Sequence, residues 1–433
     1  MFLPNPRRRR ALGRLALSAA LVAGLVALSP VARAQHSADQ VTITYWQQWT
    51  DPVQKGAMLQ VIAAFEKAHP TITVHEVDVA NDQKILTAIT GGKPPDVASM
   101  WNINNLGDWA SRGAIQNVQP LIQAQHADLN DYNASALGFT TYKGSLYGLP
   151  IEQDGFGLYV NLDAFHAAGL KAFPRTMSEV LADAVKLTKK DATGRITQLG
   201  FAGAGKGGVA QIAPYFNGSW YDAGRHIVTP DNPGVLQALQ WEKSYVDKVG
   251  VQPFENFINA TAHNPVGDQW LDGNEAMAID GDWMCALTPA YNKKLHWVVA
   301  PAPYADGHPE WANSTEVIGS INVIPAGAAH PNEAFEFMQF AGATQAQISF
   351  NRVIGNTPVT KSGDRGMAGG CFQSFIRLQA GPRATPFPVL PVANQYGTLI
   401  TTAEDRVLRG VDTPAHAMST VKQTVQAALS AFH

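Results

Sequence analysis

Alternation of apolar and polar positions predicts the first secondary-structure elements of the chain. Residues 41–45 and 72–74 alternate with a period of two, as does a strand with one buried face. Between them, apolar positions within 58–65 recur at helical spacing, and a second helix over 85–90 precedes a third strand over 97–100. This strand–helix–strand–helix–strand order predicts right-handed crossovers and a mostly parallel sheet, whose strand carboxyl ends are the usual ligand positions.

The same kind of pattern resumes after Pro150 and predicts a second α/β region. The chain has 433 residues and a mass of 46.5 kDa. Because a single compact core rarely grows to that size, we expect two lobes. The further predicted elements are strands over 156–160, 276–279 and 297–299, and helices over 178–189, 332–341 and 417–429.

Composition and motif content exclude several functional classes. Hydrophobic residues make up 45% of the chain and charged residues 15%, which excludes a disordered or charge-dominated protein. The formal net charge is −3, with no basic patch, so nucleic-acid binding is not expected. The sequence contains no His-Glu-x-x-His, Cys-x-x-Cys or Gly-x-Ser-x-Gly motif, and its histidines show no ligand spacing. We therefore expect neither a metal nor a cofactor.

The N-terminal segment has the layout of a cleaved secretory signal. Arginines within 7–14 precede an apolar run over 15–28, and a small-x-small pattern at 32–34 supplies a cleavage site. The apolar run is short for a membrane span, although a signal anchor is the alternative. We expect residues 1–34 to be removed during export, by the general secretory or the twin-arginine route. No cysteine follows the run, so we expect an exported protein without a lipid anchor.

Two further features leave alternatives open. Cys285 and Cys371 could form a disulfide in an oxidising compartment, or remain two separate buried thiols. The glycine-rich stretch over 200–208 nearly matches a phosphate-binding loop, but Gly207 replaces the hydroxyl residue that would hold Mg²⁺. An exported protein meets no nucleotide pool, so a flexible loop is the preferred interpretation over a nucleotide site.

Tryptophans and hydrogen-bonding side chains occur together just after predicted strands. Sugars are bound by this combination, because their C–H faces stack on aromatic rings while carboxylates and amides pair with their hydroxyls. For any single tryptophan, core packing is the alternative, and Trp46 is the foremost core candidate because it continues the strand alternation. The candidate residues are Gln48, Trp49, Asp51, Trp101, Asn102, Asn104, Asn105, Asp280, Asp282 and Trp283.

Paired carboxylates also admit a catalytic interpretation. Glu152 with Asp154, and Asp280 with Asp282, have the residue types that glycoside hydrolysis needs. A spacing of two in a short loop is common without catalysis. We therefore expect a binding protein rather than an enzyme.

From about Val41 to about Pro358, the chain resembles extracellular solute-binding proteins of family 1, the maltose-binding-protein-like components of ABC importers. The resemblance rests on the order and spacing of several segments rather than on one motif. It implies the type II periplasmic-binding-protein fold, in which two α/β lobes, each with an open, mostly parallel sheet flanked by helices, enclose a ligand cleft. By the same resemblance, 41–150 and 301–354 form lobe one, and 151–300 and 355–433 form lobe two. The segments that carry it are 65–74, 91–97, 147–150, 158–161, 276–283, 331–335 and 356–358.

The resemblance also implies roles for individual residues. Trp101 and Trp283 fall on sugar-stacking tryptophans of the family, and Asp154 falls on a ligand-binding carboxylate. Asn104 and Asn105 replace an Asp-Arg pair that contacts sugar hydroxyls, which puts maltose itself in doubt. Asp51 falls near a ligand-binding acidic–basic pair, and Tyr396 falls near a third stacking aromatic. Trp220 is a further candidate without a counterpart, and Arg352, near a predicted cleft loop, would suit a phosphate ligand.

The resemblance implies a function in transport. We expect a monomeric periplasmic protein that closes on a mono- or oligosaccharide and delivers it to the transmembrane subunits of an ABC permease. One alternative is an ABC binding protein for glycerol phosphate or a polyamine, and a polyamine would suit the acids at 152, 154, 280 and 282. A secreted carbohydrate-active enzyme is the other alternative.

Overall fold

The computed structural model describes residues 40–79, 81–203, 207–260 and 267–432, so the signal expected over 1–34 lies outside the described residues. The strands are β1 (Val41–Gln47), β2 (Ile72–Asp78), β3 (Val97–Met100), β4 (Thr141–Tyr142), β5 (Ser145–Leu146), β6 (Leu149–Asn161), β7 (Lys189–Lys190), β8 (Ile196–Gln198), β9 (Tyr221–Asp222), β10 (Ile227–Val228), β11 (Met277–Gly281), β12 (Trp297–Ala300), β13 (Thr315–Val323) and β14 (Ala384–Pro386).

Helices connect and flank these strands. They are α1 (Pro52–Ala68), α2 (Asp82–Thr90), α3 (Asn105–Ser111), α4 (Gln119–Ala124), α5 (Ala134–Phe139), α6 (Leu162–Ala167), α7 (Met177–Leu187), α8 (Gly208–Ile212), α9 (Pro233–Val249), α10 (Val251–Asn259), α11 (Met284–Tyr291), α12 (Pro331–Ala341), α13 (Thr344–Ile354), α14 (Lys361–Met367), α15 (Phe372–Gln379), α16 (Ala393–Leu408) and α17 (Pro414–Leu429). Among the described residues, we find no helix with the length and apolar character needed to cross a membrane.

An eight-stranded sheet of mixed direction runs through the molecule. Its order is β11-β6-β13-β3-β1-β2, with β12 also paired to β6 and β14 to β13. Strand β1 pairs in parallel with β2 and β3, as the crossovers through α1 and α2 predict. By contrast, β13 runs antiparallel to both β3 and β6, and β6 runs antiparallel to β11 and β12. The mostly parallel pairing therefore describes the β1–β3 part, and the strands beyond it reverse direction.

Strand β6 belongs to both halves of this sheet. Its first part, from Leu149 to Gly155, pairs with β13, and its second part, from Phe156 to Asn161, pairs with β11 and β12. All thirteen of its residues are buried. A Cβ atom on Gly155 would lie 2.9 Å from Gln379 Nε2, so α15 packs directly on the backbone of the strand.

The buried apolar side chains form separate cores on either side of β6. One core gathers residues from 156–305 and 375–429, and the other two gather residues from 43–151 and 317–359. The chain therefore passes between these two groups within β6, between 305 and 317, and between 359 and 375. This arrangement is the two-lobed α/β fold expected from the sequence. The part of β6 where the two groups meet is termed the junction.

A disulfide links the two cysteines of the chain. Cys285 lies in the first turn of α11, and Cys371 immediately precedes α15. Their Cα atoms are 5.7 Å apart. Of the two alternatives left open by the sequence, the structure therefore has the disulfide, which ties the segment after β11 to the helix that packs on β6.

Candidate functional site

Three buried carboxyl groups, Glu152, Asp154 and Asp282, come together at the junction and are called the carboxyl cluster below. Glu152 and Asp154 lie two residues apart on β6 and therefore point to the same face of the sheet. Asp282 follows directly after β11, whose last residue, Gly281, pairs with Phe156 of β6. The antiparallel pairing thus brings Asp282 beside Asp154. All three side chains are buried.

Amides and a backbone N–H hold the carboxyl cluster in place. The side chain of Asn356 donates to Glu152 Oε2 at 3.1 Å and also to Asp154. Asp282 Oδ2 accepts from the backbone N–H of Thr357 at 3.1 Å and from Gln379 Nε2 at 3.3 Å. Asp282 Oδ1 is also buried, and the carboxyl groups of Asp154 and Asp282 hydrogen bond to each other. The carboxyl cluster is therefore linked internally as well as to its amide neighbours.

Burial and mutual repulsion keep protons on the carboxyl cluster. Burial raises the pKa of Asp154 well above its usual range, and the neighbouring charge of Asp282 raises it further. Burial, followed by the charge of Asp154, raises the pKa of Glu152 in the same way. Burial raises the pKa of Asp282 to about 7, against hydrogen bonds that lower it. At neutral pH these groups share protons, because adjacent buried carboxylates cannot all be ionised.

Gln48, the residue after β1, extends the hydrogen-bond network of the carboxyl cluster. Its Nε2 donates to the hydroxyl of Ser320 at 2.6 Å, while its own carbonyl oxygen is buried without a hydrogen-bond partner. Ser320 stands opposite Glu152 in the β13–β6 pairing and hydrogen bonds to its carboxyl group. Gln48 therefore belongs to the same network as Asp154. Sequence reasoning missed Ser320, Asn356 and Gln379, because only the strand pairing and the α15 packing bring them here.

Two of the predicted tryptophans remain accessible near the ends of central strands. Trp101, directly after β3, is 60% exposed. Trp283 follows Asp282, is half-buried, and packs edge-on against Phe156 with ring centroids 5.8 Å apart. Both rings therefore have surface that a ligand could cover.

Asparagines connect α3 to α16 across the two core groups. Asn102 Nδ2 donates to Asn394 Oδ1 at 3.0 Å, and the Asn394 amide in turn donates to Asn105. Asn105 also donates to Asp82 at 2.7 Å. Asn104 stays within the α3 turn, where its backbone N–H donates to Asn102 Oδ1 at 3.2 Å. The predicted asparagine cluster thus bridges the two groups of the fold.

A cavity of about 530 Å³ lies between segments of the two core groups. Its lining includes the predicted candidate Trp220 and Phe387, both buried and packed against each other with ring centroids 6.0 Å apart, and the charged residues Arg383 and Glu316. Glu316 shares a face of β13 with Ser320, because the two are four residues apart on one strand. The members of the carboxyl cluster do not line this cavity. Burial raises the pKa of Glu316 to about 7.

Two predicted aromatic candidates are core residues instead. Trp49 is buried and packs edge-on against Phe350 of α13, with centroids 4.8 Å apart. Tyr396 is fully buried, and its hydroxyl donates to the carbonyl of Trp220 at 2.8 Å. Neither ring has an open face for a sugar, which corrects their assignment as stacking residues. Trp46, expected in the core, is only partly buried.

Three predicted polar candidates have local structural contacts. Asp51 is exposed and caps α1, accepting from the backbone N–H groups of the next turn at 2.9 and 3.2 Å. Arg352 is exposed and donates to the carbonyl of Gly366 at 3.1 Å. Asp280 is partly buried and accepts from the backbone N–H of Gly281 at 2.8 Å. The hydrogen bonds of Asp51 and Arg352 described here are local, and Asp280 is two residues from Asp282 in the chain. Across the described ranges, no group of side chains has the make-up of a metal site.

Comparison with known proteins places this geometry in a family. Residues 50–348 match the family described as bacterial extracellular solute-binding protein. A structure described as CpMnBP1 with mannotriose bound is 28% identical with a TM-score of 0.77, covering 89% of this chain and 99% of that one. A putative binding protein of Brucella abortus is 25% identical over 79% of this chain and 81% of its own length. An uncharacterised ABC transporter extracellular-binding protein of Pyrococcus horikoshii is 22% identical over 85% of each chain. The chain belongs to the family of bacterial extracellular solute-binding proteins.

Proposed function

We propose that this protein is the periplasmic binding component of an ABC importer for a mono- or oligosaccharide. The observation that carries the proposal is the set of buried carboxyl and amide groups at the junction, together with the accessible rings of Trp283, next to Asp282 in the chain, and of Trp101 at the end of β3. The likeness to a mannotriose-bound protein at 28% identity supports the same ligand class. The protein would be exported without a lipid anchor and act as a monomer.

Recognition would combine stacking with hydrogen bonding. A sugar ring presents C–H groups to an indole face, and its hydroxyls both donate and accept. The carbonyl oxygen of Gln48, which is buried without a hydrogen-bond partner, is an acceptor that such a hydroxyl would satisfy. Because a buried acceptor without a partner costs about 1–3 kcal/mol, a guest that pairs this atom gains affinity and specificity.

Cleft closure would follow from contacts between the lobes. We propose that the two lobes, predicted as 41–150 with 301–354 and 151–300 with 355–433, move about β6, with the later crossings of the chain between 305 and 317 and between 359 and 375. The bonds that Asn394 makes with Asn102 and Asn105 would favour the closed form. A ligand that contacts both lobes shifts the population towards closure by its differential affinity for the two states. The closed form would then dock on the permease subunits.

The arrangement of the carboxyl groups argues for binding without catalysis. Glycoside hydrolases place two carboxyl groups on either side of the bond that breaks. Here Glu152 and Asp154 accept from the same amide nitrogen of Asn356, so they lie side by side on one face. We propose that a saccharide leaves this protein chemically unchanged.

Thermal shift and intrinsic fluorescence with a saccharide panel would test the proposal. The panel contains neutral, amino and N-acetylated mono- and disaccharides together with mannobiose and mannotriose. We expect a saturable fluorescence change and a raised unfolding temperature with at least one member. Chromatography of the same mixtures should show no new sugar product. A panel without any saturable response would refute saccharide binding, and product formation would refute the non-catalytic role.

A further inference from the structure

We propose that Gly281 is a positioning residue for saccharide binding, because its lack of a side chain lets the indole ring of Trp283 pack on the backbone and so determines which face of the ring a sugar can reach. The inference rests on the proposed function and assigns a role to a residue that acts through Trp283. Gly281 is the last residue of β11, and Trp283 follows it by two positions.

The first ground is the contact between Gly281 and the indole ring. A Cβ atom on Gly281 would lie 2.2 Å from Cζ3, 2.3 Å from Cη2 and 2.5 Å from Cε3 of Trp283. These three atoms are consecutive carbons of the six-membered ring, and their nearly equal distances place the Cβ position against the face of the ring rather than beyond its rim. A side chain at this position would therefore displace the indole.

The second ground is the strand pairing beside the ring. Gly281 stands opposite Phe156 in the antiparallel pairing of β11 with β6. Directly opposite residues project on the same face of a sheet, so a ring that covers Gly281 lies next to the Phe156 side chain. Phe156 and Trp283 indeed pack edge-on, with ring centroids 5.8 Å apart. The exposed part of the half-buried indole is therefore the surface that Gly281 and Phe156 do not cover.

The third ground is that the main chain of Trp283 is held independently of its ring. Gly355, which ends α13 with a φ of 91°, approaches so closely that a Cβ atom on it would lie 3.3 Å from Trp283 Cα. The carbonyl oxygen of Trp283 accepts from the backbone N–H groups of Ala286 and Leu287 at 3.1 and 3.0 Å. Cys285, two residues further along, is fixed by the disulfide. A side chain at position 281 would therefore move the ring rather than the segment.

The backbone of Gly281 does not itself require glycine. Its φ lies outside the left-handed region, and the three atoms nearest to an added Cβ all belong to the Trp283 ring. Alanine is therefore compatible with β11, and its steric effect falls first on the indole. Because stacking depends on the position of the ring face, displacement of the indole weakens sugar binding without removing a hydrogen bond.

A double-mutant cycle between Gly281→Ala and Trp283→Ala tests the inference by titration calorimetry. Mannotriose is the first ligand, and the tightest-binding member of the saccharide panel replaces it if mannotriose does not bind. Gly281→Ala should bind about tenfold more weakly than the wild type, whereas in the Trp283→Ala background it should change the affinity by less than about twofold. Gly56→Ala is the matched control and should keep wild-type affinity, because a Cβ atom there meets nothing within 4 Å.

The position of the ring is also measured without ligand. In ¹⁵N–¹H correlation spectra, the indole cross-peak of Trp283, identified by its loss in Trp283→Phe, should move in Gly281→Ala and stay in place in Gly56→Ala. An unmoved cross-peak, or losses of affinity that add in the double variant, overturns the inference and leaves the proposed function standing. A wild type that binds no saccharide refutes the proposed function and, with it, the binding role of Gly281.

Folding of the variants, measured by circular dichroism, gives a further test. If Gly281→Ala does not fold, the double variant with Trp283→Ala decides. A folded double variant supports the inference, because removal of the indole then makes room for the added methyl group. A double variant that also fails to fold overturns the inference, because Gly281 would then be needed for the strand itself.

Discussion

Replacing Asp282 by asparagine should stabilise the protein above neutral pH and leave its stability nearly unchanged in acid. The pKa of Asp282 rises from 3.8 to about 7 on folding because the side chain is buried. The folded protein therefore holds a proton that the unfolded chain releases, and the stabilising effect of low pH is lost as the pH rises towards 7. A difference of about three pKa units corresponds to roughly 4 kcal/mol.

The geometry of the site permits this substitution. The asparagine carbonyl can accept from Thr357 N–H and Gln379 as Asp282 Oδ2 does now, and its amide can donate to the neighbouring Asp154. Removal of the Asp282 charge also lowers the pKa of Asp154, to which that charge contributes. Coupling among Glu152, Asp154 and Asp282 spreads the effect over several protons, so roughly 4 kcal/mol is an upper value.

Thermal and urea unfolding of wild type and Asp282→Asn, from about pH 4 to about pH 9, measures the effect. We expect the difference in stability to be near zero at about pH 4, to grow between about pH 4 and 7, and to level off above. Asp191→Asn is a control of opposite sign, since contacts with Thr193 and Arg195 lower the pKa of this exposed group to about 2. A difference that does not change with pH, or a wild type that is more stable at about pH 8, would refute the reasoning.

Three further predictions follow from particular contacts. Trp101→Ala should weaken saccharide binding about tenfold without changing the unfolding temperature, because its ring is 60% exposed. Titration calorimetry measures the affinity, with exposed Tyr291→Ala as the control. Equal affinities of the Trp101 variant and the wild type would contradict the prediction. The double variant Cys285→Ser, Cys371→Ser should have a free energy of unfolding lower by about 2–4 kcal/mol, since the disulfide closes a long loop. Denaturant unfolding with and without reductant measures this difference. Unchanged stability would count against the prediction. Asn394→Ala should weaken ligand binding by up to about tenfold, because it removes two hydrogen bonds between the core groups, whereas Gln395→Ala on the same helix should not. If the Asn394 variant binds ligand as the wild type does, these hydrogen bonds have no role in closure.

Local periodicity predicts the elements of this fold better than it predicts their pairing. Strands β1, β2 and β3 and helix α1 lie where alternation and helical spacing place them. The reversal at β13 could not be predicted, because the direction of that strand depends on the return of the chain from the second core group. The mixed sheet is therefore a property of the long-range topology.

The candidate site shows the same limit at the level of side chains. Trp101 was found from local context, since an aromatic residue just after a predicted strand is visible in sequence. Asp154 was assigned by resemblance to the family, and the strand that carries Glu152 and Asp154 was predicted only from residue 156 onwards. Asn356 and Gln379 were missed because they reach the carboxyl cluster from segments about 200 residues away from Glu152 in the chain. Trp49 lies beyond the last residue of β1, so strand alternation gives no information about its burial.

For Tyr396, the spacing of apolar residues in the sequence and the resemblance to the family predict different positions. The buried residues of α16 recur at three- and four-residue spacing, and Tyr396 is one of them. That spacing predicts a side chain on the core face of the helix. A position matched to a binding residue of a family therefore needs agreement with the local burial pattern before it is assigned to a site.

The carboxyl cluster lies on segments that join the two core groups. Glu152 and Asp154 lie on the one strand whose first part pairs with β13 and whose second part pairs with β11 and β12. Asp282, which contacts Asp154, is held by Thr357 and Gln379, near the point where the chain passes between the core groups. A change in the charge of these three groups acts on several of the segments that join the lobes. Protonation of the carboxyl cluster therefore removes repulsion at the place about which the lobes would close.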